Sequence, residues 1–459
     1  MKTASINIKE IENNASIIKP TYHLNDGKLR IYNSKISGVK SKSLEDSCTE
    51  IFTGGIFKRV FVEDAEFGIP YISAQHMMSF NPTSEAKTIS KKYTPRIKEM
   101  MLKESHILVS CAGTVGNIRY ISKDLTGLIG SQDIIRIIPD EAKLPAGFLY
   151  AYLSCPTIFS YIQSYVYGSV VPRIEPKTLS KLPILSFDEK LISMVDGLIK
   201  KSANLRADAN FKIGKAHELI EECIFKKVSK KHQTVKTITS GQLGRSFQKR
   251  LDASFQINKL QIEKELKSEI KLEQLKDLVS QAMFTAQRGK RNYVSNGIQF
   301  LSTSDVSQIN PLLVDKFLSW QTNGLNTLVV EDDWILVASS GSEILGSAFL
   351  VDKTYSKSAV NQHSIRVIIN ENKISPLYVF AYLSSNRIKE YIRSGIYGSA
   401  ILTINEDFLG NLLIPILDKT LTQKIVSLAT DYKTKKQEAC YLEKEAIEII
   451  ENQIKQWQK

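Results

Sequence analysis

The chain has 459 residues, 42% of them hydrophobic, and carries 61 Lys and Arg against 48 Asp and Glu, a net charge of +13. It has no run of about 18 apolar residues to cross a bilayer and no apolar signal-peptide core at its N-terminus, so a soluble, cytoplasmic protein with no membrane partner is expected, and the basic balance favours a polyanion such as nucleic acid. Five cysteines, Cys48, Cys111, Cys155, Cys223 and Cys440, are odd in number and form no C-x-x-C pair, which fits reduced thiols and not a disulfide framework.

Length alone suggests about three domains. Residues 1–43 are polar and weakly periodic, a lead-in with little fold of its own. From Leu44 onward, short β-rich pieces such as GIFKRVFV and GIPYIS alternate with Gly, Pro and Asn, as strands and hairpins do. The stretch 87–98, KTISKKYTPRIK, holds five cations and no acid. HILVSCAGTVGNIRYIS predicts a strand, a glycine turn and a second strand, and LIGSQDIIRIIP a further strand. After Pro145 the apolar spacing lengthens through FLYAYLSCPTIFSYIQSYV, predicting one helix of about five turns.

Ser186 and Glu189 have the spacing of a capping box. Beyond them, apolar or small residues recur at Leu191, Val195, Leu198, Leu205, Ala209, Ala216, Leu219 and Cys223. The segment 225–250 holds eight Lys or Arg and no acid, a solvated linker as readily as a phosphate contact, and 259–279 reads as a charged helix. The chain closes on a second periodic stretch: Leu421, Ile425, Leu428, Tyr432, Ala439, Leu442, Ala446 and Ile449. Roughly 40 residues at 1.5 Å each make about 60 Å, longer than one globule needs, so two long helices paired along a coiled-coil seam are expected.

The chain also repeats itself. AYLSCPTIFSYIQSYVYGSVVPRIEPKTLSKLPI at 151–184 returns without a gap as AYLSSNRIKEYIRSGIYGSAILTINEDFLGNLLI at 381–414. GIPYIS at 68–73 answers GIQFLS at 297–302, ILVSCAGTVGN answers ILVASSGSEILG, and Ser131, Gln132, Asp133 and Arg136 answer Asn361, Gln362, His363 and Arg366. A period this long is a duplicated domain and not a solenoid.

Catalytic patterns are missing. There is no P-loop, no N-P-P-Y-like or F-x-G-x-G stretch of an amino-methyltransferase, and no carboxylate spacing suited to a metal-dependent nuclease. The six histidines are scattered, and GTVG and GSEILG sit between strands, where turn glycines account for them better than phosphate loops do. A non-catalytic binding protein with no metal site and no cofactor of its own is expected.

In its paired GIPYIS/GIQFLS and ILVSCAGTVGN/ILVASSGSEILG blocks, the AYLS and YGS of each half, and the LPI or LLIP exit into a long helix, the chain resembles the specificity subunits of Type I restriction-modification systems over nearly its whole length. The resemblance implies a mixed α/β (α+β) fold. Two target recognition domains, at 1–187 and 230–417, would be separated by long antiparallel coiled-coil helices at 188–229 and 418–459. Each domain would read half of a split site in double-stranded DNA. The helices would set the spacing and dock two methyltransferase subunits, with S-adenosylmethionine bound there and restriction subunits able to join. The exit LPILSF lacks the family's usual Pro-rich, Gln-containing helix start. A Type IIB-like or other phage-defence methylation system, and a helical scaffold that touches no DNA, are the alternatives.

In such a reader, cations grip phosphates and amide or guanidinium side chains grip base edges. The phosphate candidates are Lys87, Lys91, Lys92 and Arg96, with Tyr93 in the same stretch. Base-reading candidates in the first half are Gln75, His76, Ser131, Gln132, Asp133, Tyr167, Ser169 and Arg173. Those in the second are Ser304, Asp305, Asn361, Gln362, His363, Tyr397 and Ser399. Residues kept in both copies, such as the YGS triplets, can equally be kept for the fold; two readers of different sequences should differ where they touch bases, which favours Asp133 against His363 and Arg173 against Thr403.

Overall fold

The computed structural model describes residues 20–64, 66–168, 170–226, 239–245, 250–341, 344–399 and 401–458. They form two compact units: the chain up to Ala207 with the stretch from Glu438 onward, and Asp208–Gln437.

In the first unit the apolar run Ile107–Ser110 is buried throughout and becomes an interior strand. It pairs antiparallel with Ile118–Tyr120 and with Ile134–Pro139, and Cys48–Thr53 completes that sheet. A smaller sheet sets Gly68–Ile72 between Lys87–Ser90, antiparallel, and Ile129–Gly130, parallel. LIGSQDIIRIIP is therefore not one strand but two, in different sheets, and residues 131–133 are the crossing between them. Hydropathy misses the break because both flanks are equally buried, while the backbone partner changes from Ile72 at Ser131 to Ser110 at Ile134.

The apolar stretch after Pro145 is likewise two helices, Ala146–Ser154 and Pro156–Ser164. Pro156 has no N–H to continue the first helix and is suited to start the second. The lead-in is more structured than its composition suggests. Asp26–Ile36 is a helix capped by the Asn25 side chain, and Ser41–Ser43 pairs with Pro183–Leu185. Gly27 permits that helix to close on Pro156–Ser164, since a Cβ there would stand 2.2 Å from the Thr157 carbonyl oxygen.

The second unit repeats the plan. Ile335–Ala338 lies between Ala348–Leu350 and Ser364–Val367, with Phe284–Thr285 at the edge, and Ile298–Leu301 lies between Phe317–Leu318 and the parallel Ala359–Val360. Residues 361–363 make the same crossing. The charged stretch 259–279 is helical only in part: helix Ala253–Glu265 is followed by strand Lys271–Gln274, paired with Leu413–Ile416, and by the short helix Leu275–Leu278. Much of the basic segment 225–250, namely 227–238 and 246–249, lies outside the described residues.

Two long helices span Glu189–Ile224 and Lys419–Gln456. Asp188 caps the first by accepting from the Lys190 and Leu191 amides, and Asp418 caps the second in the same way. Ser186 and Glu189 do not form the expected box, because Asp188 caps the helix and Glu189 is its first residue, two positions short of the third, where a box needs the Glu. The buried stripe of the first helix runs Val195, Ile199, Ser202, Arg206, Ala209, Ile213, Ala216, Ile220 and Ile224, in steps of mostly four and three. Leu198, Leu205 and Leu219, expected in the seam, are only half-buried. The stripe admits two polar residues because each finds a partner: in the first unit Ser202 Oγ donates to the Ala439 carbonyl and Arg206 Nη2 to Glu443 Oε2, both at 2.7 Å. In the second unit Lys212 pairs with Asp431 and Lys435 with Asp208, so these helical segments run antiparallel.

Candidate nucleic-acid interface

In the first unit the crossing loop is held by its backbone. The Ser131 amide donates to the Ile72 carbonyl at 2.9 Å, the Ser131 hydroxyl accepts from the Asp133 amide at 3.2 Å, and the Asp133 carbonyl accepts from the Cys111 amide at 2.9 Å. Ser131 is buried, while the side chains of Gln132 and Asp133 are partly exposed. Beside the loop, Tyr167 and Arg173 exchange backbone hydrogen bonds of 2.9 and 2.8 Å and so close a turn. Gly168, at φ +91°, makes that turn possible, because a Cβ would stand 2.5 Å from the Val171 carbonyl oxygen. Gly113 donates to the Pro172 carbonyl, which places Tyr167 and Arg173 against the same strand end as Asp133. The Tyr167 hydroxyl donates to Glu175. Ser169 lies outside the described residues.

In the second unit the equivalent loop lines an open cleft of about 510 Å³, together with Asp305, Arg291, Tyr293, Phe300 and Lys316. Four sequence candidates therefore meet there: Asp305, Asn361, Gln362 and His363. A chain of polar contacts orients them. Arg291 Nη2 donates to Gln362 Oε1 at 3.0 Å, Gln362 Nε2 lies 3.2 Å from His363 Nε2, and His363 Nδ1 lies 2.5 Å from Ser340 Oγ. Burial, and then the charge of Arg288, lower the His363 pKa. With the imidazole neutral and the Gln362 amide donating to Nε2, the ring proton sits on Nδ1 and points at Ser340. Asp305 is mostly buried: its carboxylate accepts from the Ser302 amide in a capping box and pairs with Lys316 at 3.3 Å. Asn361 Oδ1 accepts from Thr303 Oγ1 at 2.7 Å. Ser304 is exposed in the short helix Thr303–Val306 that this box caps. Tyr397 pairs with Thr403 as Tyr167 does with Arg173, and Ser399 is exposed on that turn.

The remaining candidates are more scattered. Gln75 is exposed and precedes the short helix His76–Met78, with the His76 amide bonded to Ser73 Oγ. Lys87 pairs in register with Tyr71 near the loop end of the small sheet, its ammonium 5.5 Å from the Phe61 ring. Lys91, Lys92 and Tyr93 leave from the opposite end of that strand, about 13 Å away at 3.3 Å per residue. Lys91 Nζ donates to the Glu66 carbonyl, Lys92 stands 5.4 Å from the Tyr93 ring, and Arg96 is paired with Glu99. Arg96 has φ 52°, the left-handed region that Gly324 occupies at the matching position of the second unit.

Arg291, Tyr293 and Lys316 line the cleft without being among the sequence candidates, although residues 288–291 carry three cations. The two buried arginines beneath the loops, Arg136 and Arg366, are not among those candidates either. Among the described residues, no cluster of His, Cys, Asp and Glu could hold a metal ion, and no helix is long and apolar enough to cross a membrane.

A family model described as the Type I restriction modification DNA specificity domain matches residues 36–185 and again 267–439. Among solved structures, the chain is similar to the S subunit of a Type I restriction-modification system from M. genitalium, at 14% identity and a TM-score of 0.36, covering 91% of this chain and 96% of that one. It is also similar to the HsdS subunit from Thermoanaerobacter tengcongensis, at 12% identity and a TM-score of 0.29, covering 92% and 96%. No curated protein sequence matches significantly.

Proposed function

We propose, on the premise that the chain belongs to the Type I restriction modification DNA specificity domain family, that it reads a split double-stranded DNA site and directs partner methyltransferase subunits to it. Residues 1–187 and 230–417 act as the two readers. The helical stretches 188–229 and 418–459 pair as a coiled coil that sets the spacing and docks two methyltransferases. S-adenosylmethionine binds the partner, restriction subunits can join the complex, and the chain itself performs no chemistry. The cytoplasm is where such a complex meets DNA. One observation carries this reading: each unit builds an equivalent loop between its own two sheets and keeps the central Gln, Gln132 or Gln362, but changes the residues beside it, Ser131 and Asp133 in one and Asn361 and His363 in the other. A shared frame with divergent polar tips is what two readers of different half-sites need.

The test is to express the chain with a Type I methyltransferase subunit from the same genome and map methylated bases genome-wide. A single motif of two short half-sites around a fixed gap is expected. No methylation, despite a soluble complex of both proteins, would overturn the proposal and favour a scaffold.

A further inference from the structure

Arg136 and Arg366 are among the most deeply buried side chains of the protein, each 0% exposed. They occupy equivalent positions, three residues beyond Asp133 and His363 on the strands that leave the crossing loops. Among the described residues neither is paired with a carboxylate, and each keeps a buried Nε with no hydrogen-bond partner. Burial lowers the pKa of both guanidinium groups to about 10.

An isolated buried cation is costly, and an apolar side chain of similar volume would usually serve stability better. What these arginines do instead is bind main-chain carbonyls at both ends of the loop. Arg136 Nη2 donates to the Gly130 carbonyl at 2.6 Å, the last residue before the loop, and Nη1 to the Ile134 carbonyl at 3.2 Å, the first after it. Arg366 Nη2 donates to the Val360 carbonyl at 2.6 Å, and Nη1 to those of Asn361 at 2.9 Å and Ser364 at 2.7 Å. The two ends lie in different sheets, so no strand ladder holds them together. A guanidinium is suited to that gap because its planar fork donates along two directions at once, which an ammonium cannot do in one fixed plane.

We propose that Arg136 and Arg366 are positioning residues for sequence recognition, each clamping both ends of its loop so that Gln132 and Asp133, or Gln362 and His363, meet base edges at a fixed height and angle. The clamp supplies the frame, and the loop residues supply the difference between half-sites. This rests on the reading of the two loops as DNA readers.

The test uses the full chain carrying Arg136→Met, Arg136→Lys or, as the mirror, Arg366→Met, with two readouts. The first is amide exchange of the peptide containing residues 131–133, against that of the strand at 135–137. Arg136→Met should speed exchange in the loop by about ten- to a hundredfold, as loss of charge-assisted hydrogen bonds implies, and leave the strand protected. Arg136→Lys, which keeps the charge without the fork, should behave like Met. The second readout is base enrichment from a random duplex DNA pool. Arg136→Met should erase base preference in one half-site only, Arg366→Met in the other, with binding to non-specific duplex changed by less than about twofold.

An unchanged loop exchange rate overturns the clamp, as does equal loss of protection in the strand or simultaneous decay of both half-sites. If the unmodified chain enriches no bases at all, the DNA reading falls, and the exchange rates still decide whether the arginines hold the loops.

Discussion

Replacing Glu443 with Leu is expected to destabilise the first unit by about 3 to 5 kcal/mol, the usual cost of removing one partner from a buried ion pair. Glu443 and Arg206 are 0% and 6% exposed and meet at 2.7 Å, and the Tyr150 hydroxyl donates to the other carboxylate oxygen at 2.5 Å. Without the carboxylate, Arg206 is left charged inside the helix stripe and the Tyr150 hydroxyl loses its acceptor. The nearby Arg119, whose pKa is held at about 10 by burial and then by Arg206, loses a compensating charge as well. Denaturant unfolding of the full chain, following the transition of the first unit, measures the cost. The double variant Arg206→Met with Glu443→Leu should recover most of it, because a matched apolar pair leaves no orphaned charge. A loss under about 1 kcal/mol for the single variant, or a double variant no better than the single, would refute the reasoning.

Three further outcomes are expected. Lys91→Ala with Lys92→Ala should weaken binding to every duplex alike and flatten the dependence of log K on log salt by about one to two; altered base preference would show that this turn reads sequence. Asp133→His, at a partly exposed side chain that makes no hydrogen bond or ion pair among the described residues, should leave stability within about 0.5 kcal/mol and change the enriched bases in one half-site only, whereas an unchanged motif would remove the loop from the interface. The His106 ring is buried and its Nδ1 accepts from the Lys103 amide, and burial, ahead of the charges of Lys103 and Arg136, lowers its pKa to about 4. The folded state therefore binds this proton more weakly than the unfolded state, so its stabilising contribution is intact above about pH 6.5 and is lost as pH falls toward 4. His106→Asn should shrink the slope of unfolding free energy in that window by up to about 1.4 kcal/mol per pH unit, and an unchanged slope would contradict the buried neutral ring.

Much of the architecture is written locally. The repeated blocks can be aligned by eye, the run Ile107–Ser110 can only be an interior strand, and the long 3.6-residue periodicity can only be helix, because each signal lies within one element and depends on side-chain spacing alone. Duplication likewise singles out residues 131–133 and 361–363 as candidates, because it compares one copy with the other and depends on no tertiary contact. Tertiary structure alone decided the rest. Sequence could not split LIGSQDIIRIIP, since the change of strand partner at Ser131 depends on Ile72 and Ser110, neither of which is near it in the chain. It could not place Arg206 in the buried stripe in preference to Leu205, because the choice turns on Glu443, which lies 237 residues away. Nor could it tell that Arg136 and Arg366 point inward. Hydropathy assigns every arginine to the surface, and only the meeting of two sheets at a loop brings together the main-chain carbonyls to which these buried guanidiniums donate.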